Sequence, residues 1–269
     1  MLVNGKQGKS INIRDRGLLY GDGVFRTLRA LNGKAQHWPL HYRKLQHDCS
    51  ALGIACPGIA LLTAELDRLL TRHPDGAVKL IVTRGEGERG FAPPPPGKST
   101  VIWDVSPLPA YPDNRGEKGI KACYCRLRLG SQPHLAGIKH LNRLESTLAT
   151  AEWSNTEVDE GLLMDENDYV IEGTRSNLFM VSQGKLITPE LSRCGVAGVQ
   201  RDRVIDWAAR HNMQLQTRDI QQNELSQADE LFLVNSIIGL WPIRELEQHH
   251  WVNFPVANLI RRDLDGEIA

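Results

Sequence analysis

The sequence predicts a mixed α+β protein of two lobes, and three observations carry that reading. Asn32-Gly33 sits between two short alternating runs, the signature of a type I′ hairpin turn. Two stretches of helical periodicity are followed by two apolar runs of strand length. A Pro- and Gly-bearing segment over residues 107–119 then has the composition of an interdomain linker.

Taken in order, Val24 to Leu31 reads as a strand and Lys34 to Trp38 as its return across the turn. Helices are predicted from Leu40 to Leu52 and from Ile59 to Arg72, and strands from Val78 to Thr83 and Thr100 to Val105. Between those strands, Arg84 to Lys98 (R-G-E-G-E-R-G-F-A-P-P-P-P-G-K) is too rich in glycine and proline for a regular element and is read as a loop ending in a polyproline stretch. The domains are therefore placed at residues 1–106 and 120–269. The second opens on a strand at Ile120 to Leu127, followed by a helix from Asn142 to Asn155 and strands at Gly161 to Asp165 and Asn177 to Val181. A helix from Gly198 to His211, a buried strand from Glu230 to Val234 and a terminal helix from Val256 to Leu264 complete it.

Composition narrows the function. The 269 residues, 41% hydrophobic, suffice for one large core or two modest ones. Lys+Arg and Asp+Glu both number 32, so no net field recruits a nucleic acid or an anionic membrane surface, and the expected partner is a small molecule. Five cysteines form no C-x-x-C pair and no even framework, which argues against a zinc site and a disulfide scaffold and for a cytoplasmic protein; no metal is expected. No apolar stretch is long enough for export or membrane insertion.

Five segments could carry chemistry. In H-L-A-G-I-K-H-L-N-R-L-E, the apolar residues before Lys139 offer a desolvated approach to one amine, and desolvation favours the nucleophilic neutral form. A lone lysine at a helix mouth is more often a solvated charge. Glu172, in Y-V-I-E-G-T-R-S-N-L-F, could place a carboxylate beside a heterocyclic nitrogen, although a turn glutamate in water reads the same way. The helix starting near Gly198 leaves the amides of Val199 and Gln200 aimed at an anion, with Asn235 and Ser236, after the strand L-F-L-V, as further donors or as an ordinary turn. Strand alternation puts Phe25, Thr27 and Arg29 on one face and Val24, Arg26 and Leu28 on the other, which makes Arg29 either an anion clamp or a half-exposed strand residue.

Together D-R-G-L-L-Y-G-D-G-V-F-R-T, the H-x-x-x-L helix start at His41, G-I-K-H-L-N-R-L-E, E-G-T-R-S-N-L-F and V-A-G-V-Q-R-D resemble, in order, the signatures of the fold-type IV pyridoxal-5′-phosphate (PLP) enzymes, the group that includes D-amino-acid aminotransferase. The run from Gln132 to Glu145 and the loop R-G-E-G-E-R-G-F resemble its lyase branch more than its transaminases. The resemblance implies a smaller N-terminal α+β lobe, a larger PLP-binding lobe with a β-barrel-like core, and a homodimer. It implies that Lys139 is the Schiff-base lysine, that Glu172 faces the pyridine nitrogen, and that Val199, Gln200, Ser236 and Asn235 hold the phosphate. Relatives carry H-x-x-R-L where this chain reads His41-Tyr42-Arg43-Lys44-Leu45. Lys44 stands at the arginine's position, and Arg43 points roughly a hundred degrees away on a helix, so Lys44 is the expected phosphate contact. Arg26 stands where many relatives have Glu, and because it faces away from Phe25 little effect is expected of it.

The activity implied is conversion of 4-amino-4-deoxychorismate to 4-aminobenzoate and pyruvate. Lys139 would move the proton at the amine-bearing carbon, and Lys139 or the Thr27 hydroxyl would assist protonation of the leaving fragment. A substrate with two carboxylates calls for cations, and Arg29, Arg84, Arg89 and Arg143 are the candidates. A branched-chain or D-amino-acid transaminase on the same fold is the nearest rival, and a non-catalytic small-molecule-binding protein the distant one.

Overall fold

The protein is described from a computed structural model over residues 1–95, 97–111 and 114–267. Pro96 of the predicted polyproline stretch and Pro112 of the predicted linker lie outside the described residues. The chain divides into two compact units, Met1–Ala110 with Ile138–Asn142, and Tyr111–Gly137 with Arg143–Ala269. The sequence did not disclose that five residues around Lys139 pack with the first unit.

In the first unit a hairpin of β1 (Leu2–Val3) and β2 (Lys6–Gln7) leads to a short helix α1 (Arg16–Tyr20). Asp15 caps it, accepting from the Gly17 amide at 2.8 Å, and Gly21 ends it in the left-handed region at φ 65°. Next come β3 (Gly23–Leu31), β4 (Lys34–Ala35), α2 (Trp38–Ala51), α3 (Ile59–Leu70), β5 (Gly76–Thr83) and β6 (Thr100–Ser106). Asn32 and Gly33 both take positive φ, 51° and 75°, as a type I′ turn requires. The return strand stops at Ala35 rather than Trp38, since Trp38 and Pro39 form the first turn of α2, where proline's fixed φ suits a helix start.

The sheet runs β2-β1-β6-β5-β3-β4. Val24, Leu28 and Ala30 of β3 face a core shared with Leu45 of α2 and with Leu62 and Leu66 of α3. Arg26 lies on that same face, fully buried.

The second unit contains α4 (Arg115–Lys118), β7 (Ile120–Leu129), α5 (Leu144–Ala151), β8 (Glu160–Asp165), β9 (Val170–Gly173), β10 (Asn177–Ser182) and β11 (Lys185–Pro189). It continues with α6 (Val199–Arg210), β12 (Leu215–Arg218), α7 (Gln222–Leu225), β13 (Glu230–Asn235), β14 (Gly239–Leu246), β15 (His249–His250) and α8 (Pro255–Gly266). One sheet orders them β12-β11-β10-β13-β14-β7-β8-β9, with β15 beside β14. Its last strand, β9, returns against β10 and β11, so the sheet curls into a barrel-like core. β8 and β9 are buried along their whole length and β10 and β13 nearly so, which explains their continuous apolar reading. Helices α6 and α8 cover one side through Val204, Trp207, Ile260 and Leu264.

α2 turns His41, Leu45, Asp48 and Cys49 inward. Burial, aided by the positive charges of Arg26, His37 and Lys139, pushes the His41 pKa down from 6.5 to about 3. Between those two values the unfolded chain holds one more proton at this residue than the folded chain, so stability falls as pH drops through that window. From pH 6.5 to pH 5 the protein should lose about 1.5 kcal/mol more than a His41→Gln variant, read from urea unfolding. Equal losses would show that His41 is not held neutral.

Candidate active site

Lys139 is anchored through its main chain. The segment Ile138–Asn142, which the periodicity assigned in part to a helix, is extended: the Phe25 amide donates to the Lys139 carbonyl at 3.0 Å and the Leu141 amide to the Gly23 carbonyl at 3.0 Å. Val24 and His140 form the antiparallel bridge between them. Gly23 permits this approach, because a Cβ there would meet Leu141 Cδ1 at 2.7 Å and the Val82 carbonyl at 2.8 Å. The Lys139 amide donates to Asp48 Oδ2 at 3.0 Å. Both sides of the residue are thereby fixed, and its half-buried side chain reaches over the Phe25 ring with Nζ 4.5 Å from the centroid.

Phe25, Thr27 and Arg29 share a half-buried face of β3, as alternation predicts. The Arg29 Nε is a buried donor with no hydrogen-bond acceptor among the described residues, which suits a group meant for an anionic ligand. On α2, Lys44 is half-buried and Arg43 exposed, the arrangement expected from the helical offset.

Arg84 bonds within the first unit. Its Nε donates to Asp22 Oδ2 at 2.7 Å, and its two terminal nitrogens donate to the carbonyls of Gly53 and Leu52 at 2.7 Å each. Three of its five N–H donors thus go to Asp22 and to the loop after α2. Burial would raise the Asp22 pKa, but hydrogen bonds and charges from Arg84 and Arg16 hold it below the usual carboxylate range. Arg16, buried, also donates to the carbonyls of Gly90 and Phe91 at 3.0 Å each and so ties down the loop that carries Arg89, which is exposed.

In the second unit, Glu172 is buried on β9 and its Oε2 accepts the Val196 amide at 2.9 Å. The turn after it is pinned from beneath by Glu160, which accepts from the hydroxyls of Thr174 and Ser176, the latter at 3.0 Å. Asn177 at the far side of that turn donates to the Val196 carbonyl at 2.7 Å and accepts the Gly198 amide at 3.1 Å. The strand-turn-strand motif thus shapes the 195–198 loop and sets the start of α6. Gly198 is the N-cap of α6, no side chain caps the helix, and the amides of Val199 and Gln200 have no acceptor within it.

Asn235 is engaged within the chain. Its Oδ1 accepts the amides of Ile237 and Ile238 at 2.8 and 2.9 Å, and its Nδ2 donates to the Arg175 carbonyl at 3.1 Å. Those bonds commit the side chain to building the turn that carries the half-buried Ser236. Arg143 precedes α5 and is half-buried; burial lowers its pKa, opposed by the carboxylates of Glu172 and Glu145.

Sequence reading missed Asp48 and dismissed Arg26. The available signal was a carboxylate at position 48 in register with His41 and Leu45, on what is otherwise the apolar face of α2. Arg26, expected to matter little because it faces away from Phe25, faces the core for that very reason and pairs with Asp48.

These elements define a class: a small sheet lobe presenting a main-chain-anchored lysine, and a curled-sheet lobe presenting a buried carboxylate and an uncapped helix start. Residues 23–246 match the family Amino-transferase class IV, and the chain belongs to that family. It is 32% identical to the aminodeoxychorismate lyase of Vibrio harveyi over 99% of this chain and 98% of that one. It is equally 32% identical, over 97% of this chain and 92% of the relative, to a Methanocaldococcus jannaschii protein whose provisional name is branched-chain-amino-acid aminotransferase. Among solved structures, 4-amino-4-deoxychorismate lyase from Pseudomonas aeruginosa superposes with a TM-score of 0.95 at 43% identity, covering 99% of this chain and 98% of that one.

Gly198→Ala tests the helix start. Its Cβ would meet Asn177 Oδ1 at 2.4 Å, a side chain already bonded on both sides. The variant should keep its melting temperature within a few degrees and bind PLP about tenfold more weakly by absorbance titration. Unchanged affinity would remove the start of α6 from the site.

Proposed function

We propose that the protein is a PLP-dependent lyase that converts 4-amino-4-deoxychorismate to 4-aminobenzoate and pyruvate. The observation that carries this reading is the full-length match, at 43% identity, to a solved lyase of that name. The residues fit the cofactor: a lysine fixed on both sides of its main chain, a buried carboxylate, and an uncapped helix start suited to a phosphate monoester.

When bound, PLP supplies an aldehyde carbon for an amine and a pyridinium ring that takes up an electron pair. Lys139 is assigned to hold the cofactor through Nζ in the resting enzyme. With substrate bound, the neutral Nζ of Lys139 would take the proton from the amine-bearing ring carbon. Glu172 holds the proton on the pyridine nitrogen. Lys44 lends a point charge to the phosphate, and the Val199 and Gln200 amides and Ser236 donate to it. Loss of the neighbouring enolpyruvyl group leaves an aromatic ring. The fragment gains a proton from Lys139 or from Thr27 through water and leaves as pyruvate. Arg29 and Arg143 are the half-buried cations assigned to the two substrate carboxylates, with Arg89 available from its loop.

The chain is further inferred to act as a cytoplasmic homodimer. Ile13, Leu18, Leu19 and Phe91 of the first unit expose apolar side chains of the kind subunit interfaces cover. A transaminase is the second reading, favoured by the equal identity to the archaeal relative.

Incubation with 4-amino-4-deoxychorismate should release pyruvate and 4-aminobenzoate in equal amounts. Lys139→Ala should lower that turnover by at least about a thousandfold. Glutamate formed from an amino acid and 2-oxoglutarate, with no 4-aminobenzoate from the lyase substrate, would instead establish the transaminase.

A further inference from the structure

The mechanism leaves one fully buried ion pair unexplained. Arg26 on β3 and Asp48 on α2 are 2% and 1% exposed, and the Arg26 Nη2 donates to Asp48 Oδ2. The same Nη2 donates to the Lys44 carbonyl at 3.1 Å, so the guanidinium spans one turn of α2. Asp48 Oδ2 in turn accepts the amide of Lys139 at 3.0 Å. His47 Nδ1, on a largely exposed side chain, lies 3.1 Å from Oδ1.

A buried ion pair is poor evidence for stability, because taking two charges out of water offsets most of their attraction. Its geometry here points to another use. A lysine side chain has four rotors, so the direction of its Cα–Cβ bond decides where the amine can reach. That direction is set by the peptide planes on either side. The carbonyl of Lys139 is held by Phe25, as described above, and its amide is held by Asp48. Without a charged Asp48, that amide would rest on a weaker acceptor. Without Arg26, the buried carboxylate would lose its guanidinium partner and would turn toward water.

We infer that Arg26 and Asp48 are positioning residues for the active-site lysine: the buried pair orients Lys139 through its backbone amide, and ties the α2 turn bearing Lys44 to the strand bearing Phe25. The inference rests on the lyase reading only for what the orientation accomplishes. The orientation itself is a property of the chain without cofactor.

The test therefore begins with cofactor-free protein. Hydrogen exchange at the Lys139 amide should be about tenfold faster in Arg26→Met and in Asp48→Asn than in the unaltered chain. Arg26→Lys should remain within about threefold, because both contacts come from one nitrogen that an ammonium can replace. With PLP added, Arg26→Met should lose about tenfold in kcat with KM changed less than about twofold, the pattern of a misaimed group rather than a lost binding contact. Arg26→Lys should restore kcat. If Arg26→Met does not fold, the isosteric Asp48→Asn carries the same comparison. Unchanged exchange at Lys139 in folded variants, or a lower melting temperature with unaltered kcat, overturns the inference. Failure of the lyase reading would look different: no product and no lysine-bound cofactor absorbance in the unaltered protein, with the exchange pattern still readable.

Discussion

An amine can serve as a nucleophile and proton carrier only if the chain beneath it is stiffer than the side chain that bears it, and the first unit is organised around that constraint. Lys139 belongs to neither a helix nor a named strand. Its carbonyl is claimed by Phe25 and its amide by Asp48, whose carboxylate is neutralised by Arg26 from the other side of the same strand. The glycine-rich entry to β3 follows from this arrangement, because Gly23 must let the Leu141 side chain and the main chain of β5 come within the reach of a Cβ. Alternation along β3 then separates the tasks, with Arg26 turned to the core for support and Phe25, Thr27 and Arg29 turned to the half-buried face.

The second unit applies a similar device to a carboxylate and a helix. Glu172 is fixed by the Val196 amide, and Asn177 bonds both sides of the same loop, so one turn sets the carboxylate and the first residue of α6 together. Glu160 beneath that turn is buried, and burial raises its pKa against the pull of Arg175 and the hydroxyls of Thr174 and Ser176. Supporting groups of this kind limit the rotamers of the side chains they touch, the means by which positioning contributes to catalysis in general.

Much of this was legible in the chain. Asn32-Gly33 specified its turn because two consecutive positive φ angles tolerate few other residues. The inward faces of α2 and α3 followed from periodicity. What stayed hidden depended on partners distant in sequence. Asp48 reads as one more polar helix residue until β3 brings Arg26 to it, and Lys139 reads as the edge of a helix until the strand entry claims residues 139 and 141. No local pattern announces that Asp22, Leu52 and Gly53 will engage all three nitrogens of Arg84. Nor does the sequence announce that Asn235 Oδ1 will accept the amides of Ile237 and Ile238.

Membership in the class IV aminotransferase family accounts for the scaffold, and the identity of the reactive amine is the claim on which the functional account stands. The most direct measurement is to reduce the PLP-loaded protein with borohydride, digest it and map the cofactor-bearing peptide by mass spectrometry. The account predicts a stable adduct on Lys139 and on no other lysine. An adduct on Lys44 in its place, or no adduct at all, would contradict it.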